Sequence, residues 1–446
     1  MPTDPQKQTV AIVRYEKPID SVRKAVDLSQ GLDHLPPNAS VFIKPNIVFW
    51  SRFGTFPAFG VITTSRILED MVILLKERGV EKLVIGEGIT LSDRKDRETP
   101  EHAFETLGYN RMKQKYGVEA IDLFDKPYEK VTFDDGTTLN FSADFLKADF
   151  LINLPVLKTH AQTMVSLGIK NLKGTLDINS RKKCHSADPE KNLHYMVSRL
   201  HEAAPLAFTL IDGIYSNERG PAFDGKVRRE NLLIGSRDVL SADKVGARVL
   251  GYDPSEIPHL AHAVRHMGRP IDLSDTQVVG EEIETVTSKH RYDFPYTPDE
   301  SQALPVAMQR MGIKGLSYRK YDLSMCTYCS SLNGLLLTAI AQAWEGKPWD
   351  EVEVLTGKMM KPTPGKKKTI LVGKCMYQAN KDDPNINELF AVKGCPPTTA
   401  QVVKAFNNAG IPIKPDIFEA RDQFPALFMK RYEGKPEFDI NLFRVI

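Results

Sequence analysis

Residues 149–160 read DFLINLPVLKTH, an almost unbroken apolar run that ends in Lys-Thr-His. Such a run is typical of a strand that is covered on both faces, as strands are in a parallel sheet. A second run of the same kind, FTLIDGI, stands at 208–214. Together the two runs predict a sheet that is buried between layers of helices.

Strand-like and helix-like segments alternate around these runs. Strands are predicted at 9–15, 40–49, 82–88 and 119–124, helices at 63–79 and 100–117, and a strand followed by a helix at 231–252. Strands that are separated by helices imply right-handed crossovers and a mainly parallel sheet. We therefore expect an α/β domain over 1–270 with helices on both faces of its sheet, a connecting segment over 271–312, and a smaller α/β unit over 313–446.

Composition excludes several classes of protein. The 446 residues include 59 Lys+Arg and 57 Asp+Glu, a net charge of +2, whereas a nucleic-acid-binding protein usually has a clear basic excess. No apolar run approaches the roughly 18–20 residues of a membrane span. The first ten residues, MPTDPQKQTV, lack the apolar core of a signal peptide. We expect a cytoplasmic protein with neither nucleic acid nor membrane as a partner.

Four of the five cysteines lie in the last third of the sequence. They are Cys326 and Cys329 in a C-x2-C pair, Cys375 and Cys395. The pair precedes a predicted helix, Cys375 ends a predicted strand, and Cys395 precedes Pro-Pro-Thr-Thr, which opens another helix. Because strand ends and helix starts meet at the carboxyl edge of a parallel sheet, the four sulfurs are expected to converge there.

Four thiolates suit either a 4Fe–4S cluster or a structural zinc ion. Zinc ribbons more often carry two C-x2-C knuckles, and Gly-Cys-Pro-Pro at 394–397 is similar to segments that bind clusters, so the cluster is the favoured prediction. Buried free cysteines are the remaining alternative. The fifth cysteine, Cys184, follows Arg-Lys-Lys, where neighbouring charge would lower its pKa, but an incidental cysteine in a basic loop is favoured.

Polar side chains follow several of the predicted strands in the first half. At the carboxyl edge of the sheet they would line a cationic cleft for an anionic small molecule. We assign substrate binding to Lys44, Asn46, Lys170, Asn171, Lys173 and Arg181. The predicted catalytic residues are Lys158, His160, His185, Glu87 and Asp212, of which the carboxylates are candidate bases and the histidines candidate proton carriers. A hydrogen-bonded structural role for His160 and His185 stays open.

These motifs together resemble the domain-of-unknown-function 362 family. The resemblance covers about residues 40–250 and rests on Lys44-Pro45-Asn46, Gly86-Glu87-Gly88, Lys158-Thr159-His160, the stretch GIKNLKG at 168–174, Arg181 to His185, and Ile211-Asp212-Gly213. It implies an iron–sulfur protein of the type found in anaerobic bacteria and archaea. The chain departs from members with an appended ferredoxin, because its four cysteines are dispersed through an α/β unit, which favours a single cluster.

The resulting hypothesis is a cytoplasmic iron–sulfur enzyme, a reductase or dehydrogenase, that acts on an anionic small molecule with electrons from a donor protein. The first alternative is an iron–sulfur electron carrier or sensor without catalytic activity. The second is a hydrolase or lyase with a structural zinc ion.

Overall fold

The computed structural model describes residues 7–90, 96–299 and 302–445, which form two compact units. Unit 1 consists of Met1–Ser180, His194–Asp293 and Pro425–Ile446, and unit 2 of Arg181–Leu193 and Phe294–Phe424. Each unit has its own hydrophobic core. Along the described ranges, no helix is both long and apolar enough to cross a bilayer.

Unit 1 is built on one large sheet and a separate hairpin. Its strands are β1 (Gln8–Arg14), β2 (Val41–Lys44), β3 (Leu83–Glu87), β4 (Glu119–Asp122), β5 (Tyr128–Thr132), β6 (Thr138–Ser142), β7 (Phe150–Asn153), β8 (Val156–His160), β9 (Met164–Ser166), β10 (Leu206–Glu218), β11 (Lys226–Ser236) and β12 (Thr276–Gly280). The sheet runs in the order β12-β1-β11-β10-β7-β2-β3-β4, with β8 against β10 and β9 against β8, while β5 and β6 form the hairpin. Only β1–β11, β10–β11 and β8–β9 are antiparallel pairs in the large sheet as described. The predicted mainly parallel α/β sheet is confirmed.

Helices connect and cover these strands. They are α1 (Asp20–Leu28), α2 (Ser65–Glu77), α3 (Glu98–Thr106), α4 (Tyr109–Tyr116), α5 (Ala143–Lys147), α6 (Gly168–Asn171), α7 (Ile178–Lys183), α8 (Leu193–Ser198), α9 (Val239–Val249), α10 (Pro258–Met267) and α11 (Ile283–Val286). The side chain of Asp238 caps α9 by accepting from the Ser241 amide.

Unit 2 is a smaller α/β unit, which is also as predicted. Its strands β13 (Leu316–Tyr318), β14 (Val352–Leu355), β15 (Lys368–Val372) and β16 (Glu388–Val392) lie side by side in chain order, all parallel. Its helices are α12 (Val306–Arg310), α13 (Thr327–Gln342), α14 (Lys374–Asn380), α15 (Thr399–Asn408) and α16 (Asp416–Glu419). The last helix of the chain, α17 (Phe424–Met429), begins at the boundary with the returning segment of unit 1.

The boundaries of the units differ from the predicted division at 270 and 312. Residues 271–293 belong to unit 1, because β12 pairs with β1 and so completes an edge of the large sheet. The last residues, 425–446, also return to unit 1, where Phe443 and Phe438 pack against Phe59. Residues 181–193 belong to unit 2.

Three predicted elements are broken or shortened. The helix expected at 100–117 is two helices, because Gly108 takes a left-handed conformation with φ 78° between α3 and α4. The run at 149–160 is two strands, since Leu154 and Pro155 separate β7 from β8. The strand expected at 40–49 ends at Lys44, before Pro45.

Candidate functional site

A buried ion pair lies at the carboxyl ends of β2 and β3. Lys44 Nζ donates to Glu87 Oε2 at 2.6 Å and to the Pro45 carbonyl at 2.7 Å, and both charged side chains are almost fully buried. The remaining capacity of the carboxylate is filled by the amides of Ile47 and Gly88. Glu87 therefore neutralises the charge of Lys44 inside unit 1. Lys44 does not provide the free positive charge that the predicted cationic cleft requires.

Three asparagines connect this pair to the rest of the network. Asn46 Nδ2 donates to Asn171 Oδ1 at 2.9 Å, and Asn171 Nδ2 donates to Asn153 Oδ1 at 2.8 Å. Asn153 stands opposite Lys44 in the β2–β7 register and donates to the Gly168 carbonyl. Each amide thereby fixes the orientation of the next one. Asn153 was not among the predicted site residues, although an asparagine within the apolar strand FLIN is a visible signal.

Lys158 lies on β8 within the same network. Its Nζ donates to Asn46 Oδ1 at 2.6 Å and to the Val61 carbonyl at 2.8 Å, and the residue is 1% exposed. Burial lowers the pKa of Lys158 to about 7, with the charge of Lys44 acting in the same direction and Glu87 and Asp212 opposing it. Near neutral pH this amine is therefore present in both its charged and its neutral form.

Asp212 on β10 is the second titratable group with a strongly altered pKa. It accepts hydrogen bonds from the amide and hydroxyl of Thr64 and from the Ile214 amide. Burial nevertheless raises the pKa of this carboxyl to about 6. Lys158 and Asp212 are in electrostatic range of each other, so unit 1 holds a buried amine and a buried acid that both titrate near neutrality.

The stretch GIKNLKG fits against this network through close backbone approaches. Asp243 on α9 accepts from the Gly168 and Ile169 amides at the start of α6, which places Asn171 on the asparagine chain. A Cβ on Gly174 would lie 2.6 Å from Lys44 Nζ and 2.7 Å from Glu87 Oε1. The two glycines of the stretch therefore stand where larger residues would displace the buried charges or their supports.

Three further predicted residues of unit 1 are His160, Lys170 and Lys173. His160 ends β8, is 9% exposed and accepts at Nδ1 from the Gln162 amide. Lys170 and Lys173 are half-buried, on α6 and in the turn that follows it. The structure thus joins Lys44, Asn46, Glu87, Lys158 and Asn171 by hydrogen bonds, and leaves the roles of His160, Lys170 and Lys173 as predictions.

Two predicted cleft residues lie in unit 2 instead. The segment Arg181–Leu193 packs there, where His185 Nδ1 is 2.9 Å from the Leu323 carbonyl oxygen. Lys358 donates to the carbonyls of Lys182 and His185. The tertiary contacts therefore associate Arg181 and His185 with the cysteine-bearing unit rather than with Lys158, and place the side chain of Cys184 in a fully buried position.

The four C-terminal cysteines come from three places at one end of the parallel sheet of unit 2. Cys326 is the N-cap of α13 and Cys329 lies in its first turn, Cys375 is in the first turn of α14 just after β15, and Cys395 follows β16. Cys375 thus begins a helix, one short turn beyond the strand it was predicted to end. A Cβ on Gly373 would lie 3.2 Å from Cys329 Sγ, which shows how closely β15 and α13 approach.

Electrostatic contacts relate the four thiols to one another. A hydrogen bond from Cys329 lowers the pKa of Cys326 to about 5, and the amide of Tyr328 adds to this effect. The hydrogen bond to Cys326 and burial raise the pKa of Cys329, and Cys375 and Cys395 act on it in the same direction. Lys358 and Lys182 bring positive charge to Cys375.

A cluster or metal ion would find suitable donors here, but the shell is not preassembled. Within the described ranges, no three His, Cys, Asp or Glu side chains are arranged to hold a metal ion. Cys326 is buried and Cys329 half-buried, whereas Cys375 and Cys395 are exposed. Binding would bring the two exposed thiols together with the pair on α13, and metal binding can order a site in this way.

Comparison with known proteins gives a family for the region that contains the asparagine network. Residues 41–248 match the family described as Domain of unknown function (DUF362). The predicted resemblance to DUF362 is confirmed. The DUF362 region includes Lys44, Glu87, Lys158, Asp212 and Asp243, and it ends before the four C-terminal cysteines.

The chain is similar to a curated protein and to a solved structure. The Thylakoid-associated protein sll1697 of Synechocystis sp. is 27% identical over 228 residues, which are 50% of this chain and 67% of that protein. The lactate racemase apoprotein from Thermoanaerobacterium thermosaccharolyticum is 17% identical with a TM-score of 0.34, over 55% of this chain and 58% of the racemase chain. A likeness at that level carries no inference about chemistry.

Proposed function

We propose that this DUF362 protein is an iron–sulfur redox enzyme, a reductase or dehydrogenase that acts on an anionic small molecule. Unit 2 would hold a 4Fe–4S cluster on Cys326, Cys329, Cys375 and Cys395, and the DUF362 region would bind the substrate. The observation that carries the proposal is the gathering of four thiols from three separate elements at one end of a parallel sheet.

The donor set supports a cluster in unit 2. Four thiolates and no histidine are the ligands that 4Fe–4S clusters use, and when bound such a cluster supplies or accepts single electrons. The thiol-to-thiol contact of Cys326 and Cys329 brings two donors together at the start of a helix, where thiolates are stabilised. Lys182 and Lys358 offset the negative charge that four thiolates would collect.

Zinc is the competing occupant of the same four thiols. A structural zinc site also takes four cysteines, but it more often uses two C-x2-C knuckles, whereas this chain offers one knuckle and two separate cysteines. The resemblance to a family rich in iron–sulfur proteins favours iron.

The substrate site is argued from the buried network of the DUF362 region. Lys158 and Asp212 both titrate near neutral pH, so each can hold or release a proton during a reaction. The half-buried Lys170 and Lys173 follow on the adjoining stretch and can attract a carboxylate or phosphate. Glu87 already neutralises Lys44, so Lys44 is not among the groups that we propose to attract the anion.

Anaerobic purification of the full chain tests the metal assignment. We expect a broad visible band that bleaches with dithionite, about four irons and four sulfides per chain, and no stoichiometric zinc. A colourless protein with one zinc ion per chain would overturn the redox proposal.

Single substitutions test the ligand assignment. Cys375→Ser and Cys395→Ser are each expected to lose most of the bound iron, because each removes one of the four sulfur ligands. Cys184→Ser is the matched control, since Cys184 also lies in unit 2 but outside the four, and it should keep its iron. Full iron content in Cys375→Ser would contradict the assignment.

A further inference from the structure

Lys158 has an unusual set of hydrogen-bond partners for a buried lysine. Its Nζ has two acceptors, Asn46 Oδ1 at 2.6 Å and the Val61 carbonyl oxygen at 2.8 Å, and the described residues provide no third. An ammonium group has three N–H donors, and one of them would be buried without a partner. A neutral amine has two N–H donors and one lone pair, so these two acceptors satisfy both of its donors.

The charges around Lys158 agree with a neutral amine. Glu87 and Asp212 favour the ammonium form, but Glu87 is already bound by Lys44 and two backbone amides. Asp212 is likewise held by three donors, from Thr64 and Ile214. Lys44 and burial act in the opposite direction.

We propose that Lys158 is a nucleophilic amine that condenses with the carbonyl group of a small anionic carbonyl compound, a 2-oxo acid or glyoxylate, to form an imine. Both N–H groups donate to the two acceptors, so the lone pair of the nitrogen is available to attack a carbonyl carbon. The proposal deepens the substrate site proposed above and rests on the binding of an anionic small molecule in the DUF362 region.

The chemistry balances without an oxidant or reductant. The nitrogen lone pair forms a bond to the carbonyl carbon while the carbonyl π pair moves to oxygen, which takes a proton from the new ammonium. The resulting carbinolamine accepts a second proton on that oxygen, loses water and leaves an iminium ion on Lys158. The second proton comes from solvent, and the negative charge of Asp212, which acts on Lys158, favours the iminium cation.

Reductive trapping at pH 7 tests the proposal directly. The full-length protein is incubated with limiting glyoxylate and sodium cyanoborohydride, and modified lysines are located by peptide mass spectrometry. We expect a carboxymethyl group on Lys158 that forms at least about tenfold faster than on an exposed lysine such as Lys130. Lys44, equally buried but bound to Glu87, is the internal control and should remain unmodified.

Two outcomes would overturn the proposal. The first is a folded protein in which Lys158 is modified no faster than Lys130. The second is unchanged modification of Lys158 in Asn46→Asp, because a carboxylate at that position would favour the ammonium form and should reduce trapping at pH 7 by several-fold.

A binding measurement separates this proposal from the wider one. Glycolate has the carboxylate of glyoxylate but no carbonyl group, so it can bind the site without forming an imine. A rise in melting temperature with glycolate, together with no trapping by glyoxylate, would overturn the imine and leave the anion site standing. If glycolate causes no melting shift and glyoxylate is not trapped, both the imine and the anion site of the DUF362 region are overturned, whatever the iron content of unit 2.

Discussion

Lys44 and Glu87 illustrate how much one buried contact can matter at the scale of the residue. Charges in the interior are stable only when they are paired and their remaining hydrogen-bonding atoms are satisfied. Glu87 meets this condition through Lys44 and the amides of Ile47 and Gly88. The ion pair therefore fixes the carboxyl ends of β2 and β3 relative to each other.

Glu87→Gln is expected to destabilise unit 1 by about 3–5 kcal/mol, because it leaves the charge of Lys44 buried without its partner. The free energy of unfolding in urea measures the effect. The double variant Lys44→Met/Glu87→Gln should recover more than half of the loss, since no unpaired charge remains. Glu119→Gln, which removes an exposed ion pair with Lys126 in the same sheet, is the control and should change stability little. Equal losses in the single and double variants would contradict this account.

The pKa of Lys158 predicts a pH dependence of stability. With a pKa of about 7 in the folded protein and an ordinary value of 10.5 when unfolded, Lys158 binds fewer protons in the folded state between these two values. Stability from this group therefore rises with pH across that window, with a slope of at most about 1.4 kcal/mol per pH unit. The difference in unfolding free energy between wild type and Lys158→Met should increase from pH 7 to pH 10 and stay constant below pH 6. A flat difference would contradict the lowered pKa.

At the scale of the element, Asp243 determines where the stretch GIKNLKG begins its helical turn. It reaches from α9 to the Gly168 and Ile169 amides at 2.6 Å and 2.9 Å. Burial raises the pKa of Asp243 to about 7, and the hydrogen bonds from the Ile169 and Gly168 amides oppose this rise.

Asp243→Ala should destabilise unit 1 by about 2–4 kcal/mol, because two buried amides lose their acceptor. Urea unfolding measures this, with the exposed Asp33→Ala as the control expected to stay within about 0.5 kcal/mol of wild type. If Asn171 depends on this cap, the variant should also trap less glyoxylate at Lys158. A loss no larger than that of the control would show that α6 is held by other contacts.

At the scale of the whole molecule, the chain returns to unit 1 after completing unit 2. Phe443 is 3% exposed and its ring lies 5.5 Å from that of Phe59 and 6.2 Å from that of Tyr215. The Tyr215 hydroxyl donates to the Glu437 carbonyl and accepts from the Asp439 amide. Tyr432, Phe443 and Val445 of this returning segment are thus part of the core of unit 1.

Phe443→Ala is expected to destabilise unit 1 by about 3–5 kcal/mol through the cavity that it leaves. Leu427→Ala is the matched control from the same returning segment, because Leu427 is 58% exposed and should matter little. The measurement is urea unfolding followed by the fluorescence of Trp50, which lies in the core of unit 1. An effect of Phe443→Ala as small as that of Leu427→Ala would contradict this role.

The sequence by itself determined the α/β class, most strands and helices, and the family resemblance, because these depend on local apolar patterns and on short motifs. It also singled out Lys44, Asn46, Glu87, Lys158 and Asn171, since polar residues at strand ends are visible in one dimension. Only the tertiary structure decided that Lys44 is neutralised by Glu87, that Asp243 caps a turn 75 residues away, and that residues 181–193 accompany the cysteines. Each of these depends on contacts between distant segments, whose pairing no local pattern encodes.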